Sequence, residues 1–221
     1  MHVTQKILKI IFPKPEIKGQ ENLKKNQYTI LAANHLGVYG PIWLMLWADL
    51  ELRPWITAEI MEKATCKKYL QKHFFQNELG WHPQISKLIA TIIAPICLRI
   101  IKEINGIPVY HGTKGIKQTL ILSQKSLQAG STLLIFPEID PTGDTYQLRA
   151  LQGGFIRIAM ETCRNEGKTV IFYPVGISKK NKRIIIDKGI EYNCQKPYPE
   201  EKEKIISYLT EMISKNTDQR T

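Results

Sequence analysis

Acidic residues are scarce in this sequence. Twenty Asp and Glu stand against 31 Lys and Arg, a formal charge of +11. Such a surface favours polyanions, whether nucleic acid, anionic lipid or phosphorylated cofactors. Long apolar runs are missing too. The longest uncharged one, LIATIIAPICL at 88–98, has eleven residues, whereas crossing a bilayer takes about 20, so no spanning segment is expected. The opening MHVTQKILKIIFPKP lacks the longer apolar core and small-residue cleavage site of a signal peptide. The four cysteines, Cys66, Cys97, Cys163 and Cys194, are widely spaced with no C-x-x-C, and read as free thiols in a reducing cytosol. No His, Cys or carboxylate group has ligand spacing, so no metal is expected. There is no repeat, no low-complexity tract and no dividing linker.

What is present is an ordinary globular composition, 43% hydrophobic and 23% charged over 221 residues, which excludes wholesale disorder and fits a single domain spanning 1–221. Residues 2–12 read as a short amphipathic helix stopped by Pro13 and Pro15. YTILAAN (28–34) has the length and unbroken apolarity of a buried strand, and IWLMLWADL after Pro41 reads as a helix. RPWITAEI (53–60) is a second strand and 84–104 a long apolar helix containing Pro95. GIPVYHG (106–112) is a brief strand, followed by a helix closed by Gly130. STLLIFPE (131–138) and KTVIFYPVGI (168–177) are buried strands flanking a helix at 153–166. A basic turn, KKNKR, precedes IIIDKGIEY, and a polar helix runs over about 199–215. Unbroken apolar strands alternating with helices predict an α/β layered domain, its mixed or mostly parallel sheet covered by helices on both faces.

Four blocks fall at predicted strand ends: NHLGVYGP, GIPVYHG, IFPEIDPTGD and YPVGI. Ligand sites in open α/β sheets gather at carboxyl ends of strands, which makes His35, His111 and Glu138 candidates to converge. A strand-end histidine is a proton acceptor or a turn residue, and placement alone leaves both open. A carboxylate directly after LLIFP calls for a partner.

In order and spacing these blocks resemble the glycerolipid acyltransferase family, typified by lysophosphatidate acyltransferase. In that family N-H-x-x-x-x-D is followed by G-x-x-x-x-R, F-P-E-G and a late apolar strand ending in a proline block. The resemblance covers about residues 28–178 and includes ALQGGFIRIA (150–159). It implies a glycerol-3-phosphate acyltransferase-like fold and an O-acyltransferase of phospholipid biosynthesis. That enzyme moves a fatty acyl group from acyl-CoA or acyl carrier protein to a hydroxyl of a lysophospholipid-type acceptor. The thioester is a co-substrate, and no bound cofactor is implied. On this pattern His35 is the general base. Asn34, Gly37, Gly40, Tyr110, His111, Phe136, Pro137, Glu138 and Arg149 surround the substrates. A neutral imidazole is suited to taking a hydroxyl proton as the ester bond forms.

Three motif positions depart from the pattern, and the basic residue that follows F-P-E-G in the family is missing from IDPTGD. Gly40 stands where the family has aspartate, His111 where it has arginine, and Ile139 where it has the glycine of F-P-E-G. A lost orienting carboxylate lowers turnover by as much as about 10⁴ in a serine-protease triad. Glu138, Asp140 and Tyr39 are the candidate replacements, with Asp144 behind them. Imidazole lacks the bidentate fork with which arginine grips phosphate, so either the acceptor has no phosphate or another cation such as Arg149 or Arg157 holds it. The alternative is a non-catalytic relative that binds acyl chains or acyl carriers. A lipid acceptor implies an anionic membrane surface as partner, with the protein cytoplasmic and peripheral on the membrane's inner face. The 84–104 helix with Lys87, Arg99 and Lys102, and the tryptophans at 43, 47, 55 and 81, suit that interface. No groove-reading helix or aromatic strand pattern points to nucleic acid.

Overall fold

The computed structural model describes residues 8–37, 39–110, 112–138 and 151–217. They form two compact units, one from residues before Arg53 and after Thr119, the other from Arg53–Thr119. The second is an insertion in the first, without a long linker.

In the first unit, β1 (Glu16–Lys18), β2 (Tyr28–Ala33), β5 (Thr132–Ile135), β6 (Val170–Ser178) and β7 (Arg183–Ile186) join in the order β1-β7-β6-β2-β5. β2 lies parallel between β6 and β5, with Ile30 opposite Phe172 on one side and Leu133 on the other. β7 runs antiparallel along the second half of β6, and the short β8 (Ile190–Glu191) along its first half. The sheet is mixed and mostly parallel, as the unbroken apolar runs predict. Every residue of β6 is buried, which requires cover on both faces.

That cover comes from opposite sides. Leu31, Ala33, Tyr173, Val175 and Ile177 pack with Trp43 and Leu44 of helix α2 (Tyr39–Trp47), α1 being residues 8–11. The alternate side chain, Phe172, meets Phe155 edge-on at 5.7 Å, just ahead of α7 (Arg157–Glu166). α8 (Tyr198–Asn216) also packs on β6 and sinks Ile205, Leu209 and Ile213. α8 starts at a proline with Glu200 and Glu201 in its first turn, where carboxylates suit the helix dipole. Cys163 of α7 is disulfide-bonded to Cys194, which corrects the expectation of four free thiols. The two sit 31 positions apart but meet because α7 and the turn before α8 lie together. No cysteine spacing signals that.

The second unit holds most of β3 (Leu52–Thr57), parallel to β4 (Ile107–Val109) with Trp55 opposite Ile107. Between them come α3 (Ala58–Met61), α4 (Lys63–Tyr69), a π-helical stretch Leu70–Glu78 and α5 (Pro83–Glu103). α6 (Gly112–Gln128) leads back to the first unit. Cys66, Leu70, Phe75, Ala90 and Ala94 form this unit's core. Cys66 and Cys97 are free, and burial pushes the Cys97 thiol up to about 12, which makes it unreactive. α5 is long and apolar enough to cross a membrane by length and composition. Its longest uncharged run is only eleven residues because Lys87 and Arg99 interrupt the apolar residues.

Candidate active site

β2 ends at Ala33 and the chain reverses within five residues. Leu36 and Gly37 take left-handed conformations, φ +47° and +57°, and α2 begins at Tyr39. Asn34 fixes the strand end. Its Oδ1 accepts from the Ile177 N–H at 2.7 Å and its Nδ2 donates to the Ile177 carbonyl at 3.0 Å, both buried. The side-chain amide thus takes the place of a further ladder residue and ties β2 to β6. Its two atoms are used in the fold, although the resemblance places Asn34 among the substrate contacts.

His35 follows, held from two directions. Its backbone N–H donates to Glu138 Oε2 at 3.2 Å, and its ring meets the Phe136 ring edge-on at 5.0 Å. One edge of the residue remains partly open, but Nδ1 is sealed without a hydrogen-bond partner. Burial pushes the imidazole down to about 4, and a backbone contact with Gly37 pulls weakly the other way without meeting hydrogen-bond geometry. Removing water from the ring disfavours the cation.

The first and third sequence blocks therefore converge, though not as an imidazole–carboxylate pair. Glu138 anchors the main chain of His35 and does not reach Nδ1. Next to it the Pro137 carbonyl accepts from Gln152 N–H at 2.7 Å, and Glu138 forms a bridge with Leu151. The F-P-E segment is thereby folded back against the start of the glycine-containing segment.

Tyr39 belongs to an aromatic row. Phe12 lies 5.4 Å and Trp43 5.5 Å from its ring, both edge-on, and Lys179 Nζ stands 4.1 Å above the ring centre. Tyr39 does not bond Nδ1 either. Lys179 thus sets an ammonium against Tyr39 at the start of α2, a cation outside the four motif blocks. The signal for it is the KKNKR turn immediately after YPVGIS, which returns to the His35 turn because β6 and β2 are parallel neighbours.

Gly40 occupies the family's aspartate position. A Cβ there would stand 2.3 Å from the His35 carbonyl oxygen and 3.1 Å from that of Asn34. The first turn of α2 is packed so tightly on the motif's main chain that no side chain fits. Gly37, by contrast, faces open space, so only its positive φ asks for glycine. Tyr110 lies in the second unit, its N–H donating to Thr119 Oγ1 at 3.3 Å. His111, Asp140, Asp144, Arg149 and residues 2–7 of the expected first helix fall outside the described residues. Arg157 is exposed at the start of α7. Of the tryptophans, Trp43 is core, Trp47 donates to the Phe12 carbonyl, and Trp81 is well exposed. Among the described residues no cluster of His, Cys, Asp and Glu is arranged to hold a metal.

No protein-family model matches the sequence, and no curated protein matches it. The three-dimensional comparison does find a match. The crystal structure of the 1-acyl-sn-glycerophosphate (LPA) acyltransferase PlsC from Thermotoga maritima aligns with a TM-score of 0.57 and 15% sequence identity, over 98% of this chain and 79% of that one. The chain has a PlsC-like acyltransferase fold.

Proposed function

We propose that the protein is an acyltransferase that moves a fatty acyl group from acyl-CoA or acyl carrier protein to a hydroxyl of a lysophospholipid-type acceptor, with His35 as general base. The observation that carries this reading is the bond between Glu138 and the His35 backbone. It brings two separated motif blocks to one strand end in a fold otherwise known from an acyltransferase. In the reaction His35 takes the acceptor hydroxyl proton while the oxygen attacks the thioester carbonyl. The C–S bond then breaks, and the thiolate leaves with the proton. An imidazole held near 4 is unprotonated throughout the neutral range, although its low proton affinity makes it a weak base. Phe136 fixes the ring plane, a task a carboxylate performs in triads. Lys179 offers the ammonium for an anionic headgroup, standing in for the arginine replaced by His111.

Purified protein given acyl-CoA or acyl carrier protein and a lysophospholipid should release thiol and form the diacyl lipid, identified by mass. A second reading is favoured by the sealed Nδ1 and by Gly40: a relative that holds acyl chains without turning them over. Saturable acyl binding with no thiol release would establish it and refute the first.

A further inference from the structure

Helix α5 is amphipathic in the wrong sense for water. Its buried residues include Ser86, Ala90 and Ala94, spaced four apart on one face, where the two alanines pack with Cys66, Leu70 and Phe75. Ile89, Leu98 and Ile101 also face the protein, but a second set of large residues points the other way. Leu88 is 64% exposed, Ile92 57% and Ile96 46%, with Ile85 beside them, at spacings of three, four and four that define a single stripe. Leu79 and Trp81 extend the exposed apolar surface just before the helix. In water a helix gains by burying its isoleucines and leucines and exposing its small residues. A contiguous apolar stripe of this length marks an interaction surface, and small residues at a helix contact with large ones outward is the pattern of helices in an apolar medium.

The charge around the stripe selects the medium. Ten Lys and Arg stand against four Glu over residues 53–119. Arg99 continues the stripe, three residues beyond Ile96, and pairs with Glu103 at 3.2 Å. Lys87 and Lys102 of α5 and Lys63, Lys68 and Lys72 of the packed α4 and π segment are exposed. A second copy would bring the same positive charge and be repelled, whereas a surface of anionic headgroups is complementary.

We infer that the outward stripe of α5, Ile85, Leu88, Ile92 and Ile96 with Trp81, lies in the plane of an anionic bilayer and docks the protein there. The helix does not span, because its other face is occupied by α4 and the π segment. The lysines meet headgroups while the aliphatic side chains enter the acyl boundary. The inference deepens the acyl-transfer reading and rests on it for the meaning of the surface, which is where the lipid acceptor is met.

The test is co-sedimentation of the full chain with phosphatidylcholine vesicles, with and without 30% phosphatidylglycerol as probe composition, about one lipid in three. Binding is expected to anionic vesicles and to fall as salt rises. The double variant Leu88→Glu/Ile92→Glu should weaken it more than about tenfold, while Ile116→Glu, an exposed isoleucine on α6, should not change it. Lys63→Gln/Lys68→Gln/Lys72→Gln leaves the apolar face intact and should lower anionic binding while flattening its salt dependence. Circular dichroism and thermal melting establish that each variant is folded. Unchanged binding in both folded multiple variants overturns the inference. A concentration-dependent dimer abolished by Leu88→Glu/Ile92→Glu, with no vesicle binding, also overturns it and assigns the face to a second copy. Turnover of a monomeric short-chain lysolipid separates the two claims. Lost docking with retained turnover is the expected result for the double variant. Vesicle binding with no turnover by the unmodified protein would sink the His35 reading alone.

Discussion

Restoring the family's aspartate, Gly40→Asp, should harm the protein. A Cβ at 40 meets the His35 carbonyl oxygen at 2.3 Å, more than about 1 Å inside ordinary van der Waals contact. The obstacle is main chain, so neither partner can rotate away. The start of α2 must lift, which loosens Trp43 and Leu44 from the β2–β6 face, and overpacking of that kind costs about 1–3 kcal/mol. The Cβ also stands 3.1 Å from the Asn34 carbonyl oxygen, and the longer side chain brings the total to about 2–4 kcal/mol. For a chain of this size that lowers Tm by about 5–15 °C. Gly40→Ala separates the two effects. At an open helix position it would stabilise by about 0.5–1 kcal/mol, and here it should destabilise by most of the overpacking cost. Thermal unfolding of both variants, with thiol release measured in parallel, is the assay. A Gly40→Asp protein as stable as the parent and faster in turnover would refute the reasoning, and would mean that the His35–Gly40 turn relaxes easily.

The low proton affinity of His35 predicts a stability slope. The unfolded chain binds a proton below about 6.5 and the folded ring only below about 4, so stability is complete above 6.5 and falls as pH drops toward 4, by about 3 kcal/mol in all. Denaturant titrations from pH 7 to 4 should show His35→Gln flatter than the parent by that amount, and parallel curves would contradict the sealed ring. Asn34→Ala removes both bonds to the Ile177 peptide and strands its buried N–H and carbonyl, and should cost about 2–4 kcal/mol in chemical unfolding; a loss below about 0.5 kcal/mol would argue against the clamp. Lys179→Ala should raise KM about tenfold for an acceptor with a phosphate headgroup, and leave KM for an uncharged acceptor unchanged. Equal effects on both acceptors would remove Lys179 from headgroup binding.

The layered sheet was legible because buried strands of a parallel sheet need no alternation. YTILAA, LLI and VIFYPVGI are nearly unbroken apolar runs, and each is a buried strand. β1 escaped notice because EIK is three residues long with both charged ends outward. The 61–82 region carried no expectation, since its lysines and aromatics follow neither a 3.6 nor a 2 period, and it folds in part as a π-helix. The convergence of His35 with the F-P-E block was legible from order and strand-end placement. How they converge was not. A strand-end carboxylate beside a histidine suggests an ion pair, but Glu138 accepts from the His35 amide instead. Gly40 read as a loss when met in sequence, and the packing of α2 on the His35 carbonyl makes it a requirement. The outward stripe of α5 was half legible. Its apolar and basic residues were plain, but which of them faced the protein depended on α4 and the π segment.

The central claim is that His35, held by Phe136 and Glu138 with no hydrogen bond at Nδ1, takes the acceptor's proton. The most direct measurement compares single-turnover rates of acyl-lipid formation by the parent and by folded His35→Ala. The account predicts a loss of about 10²–10⁴ in the variant. Equal rates in the two proteins would contradict it.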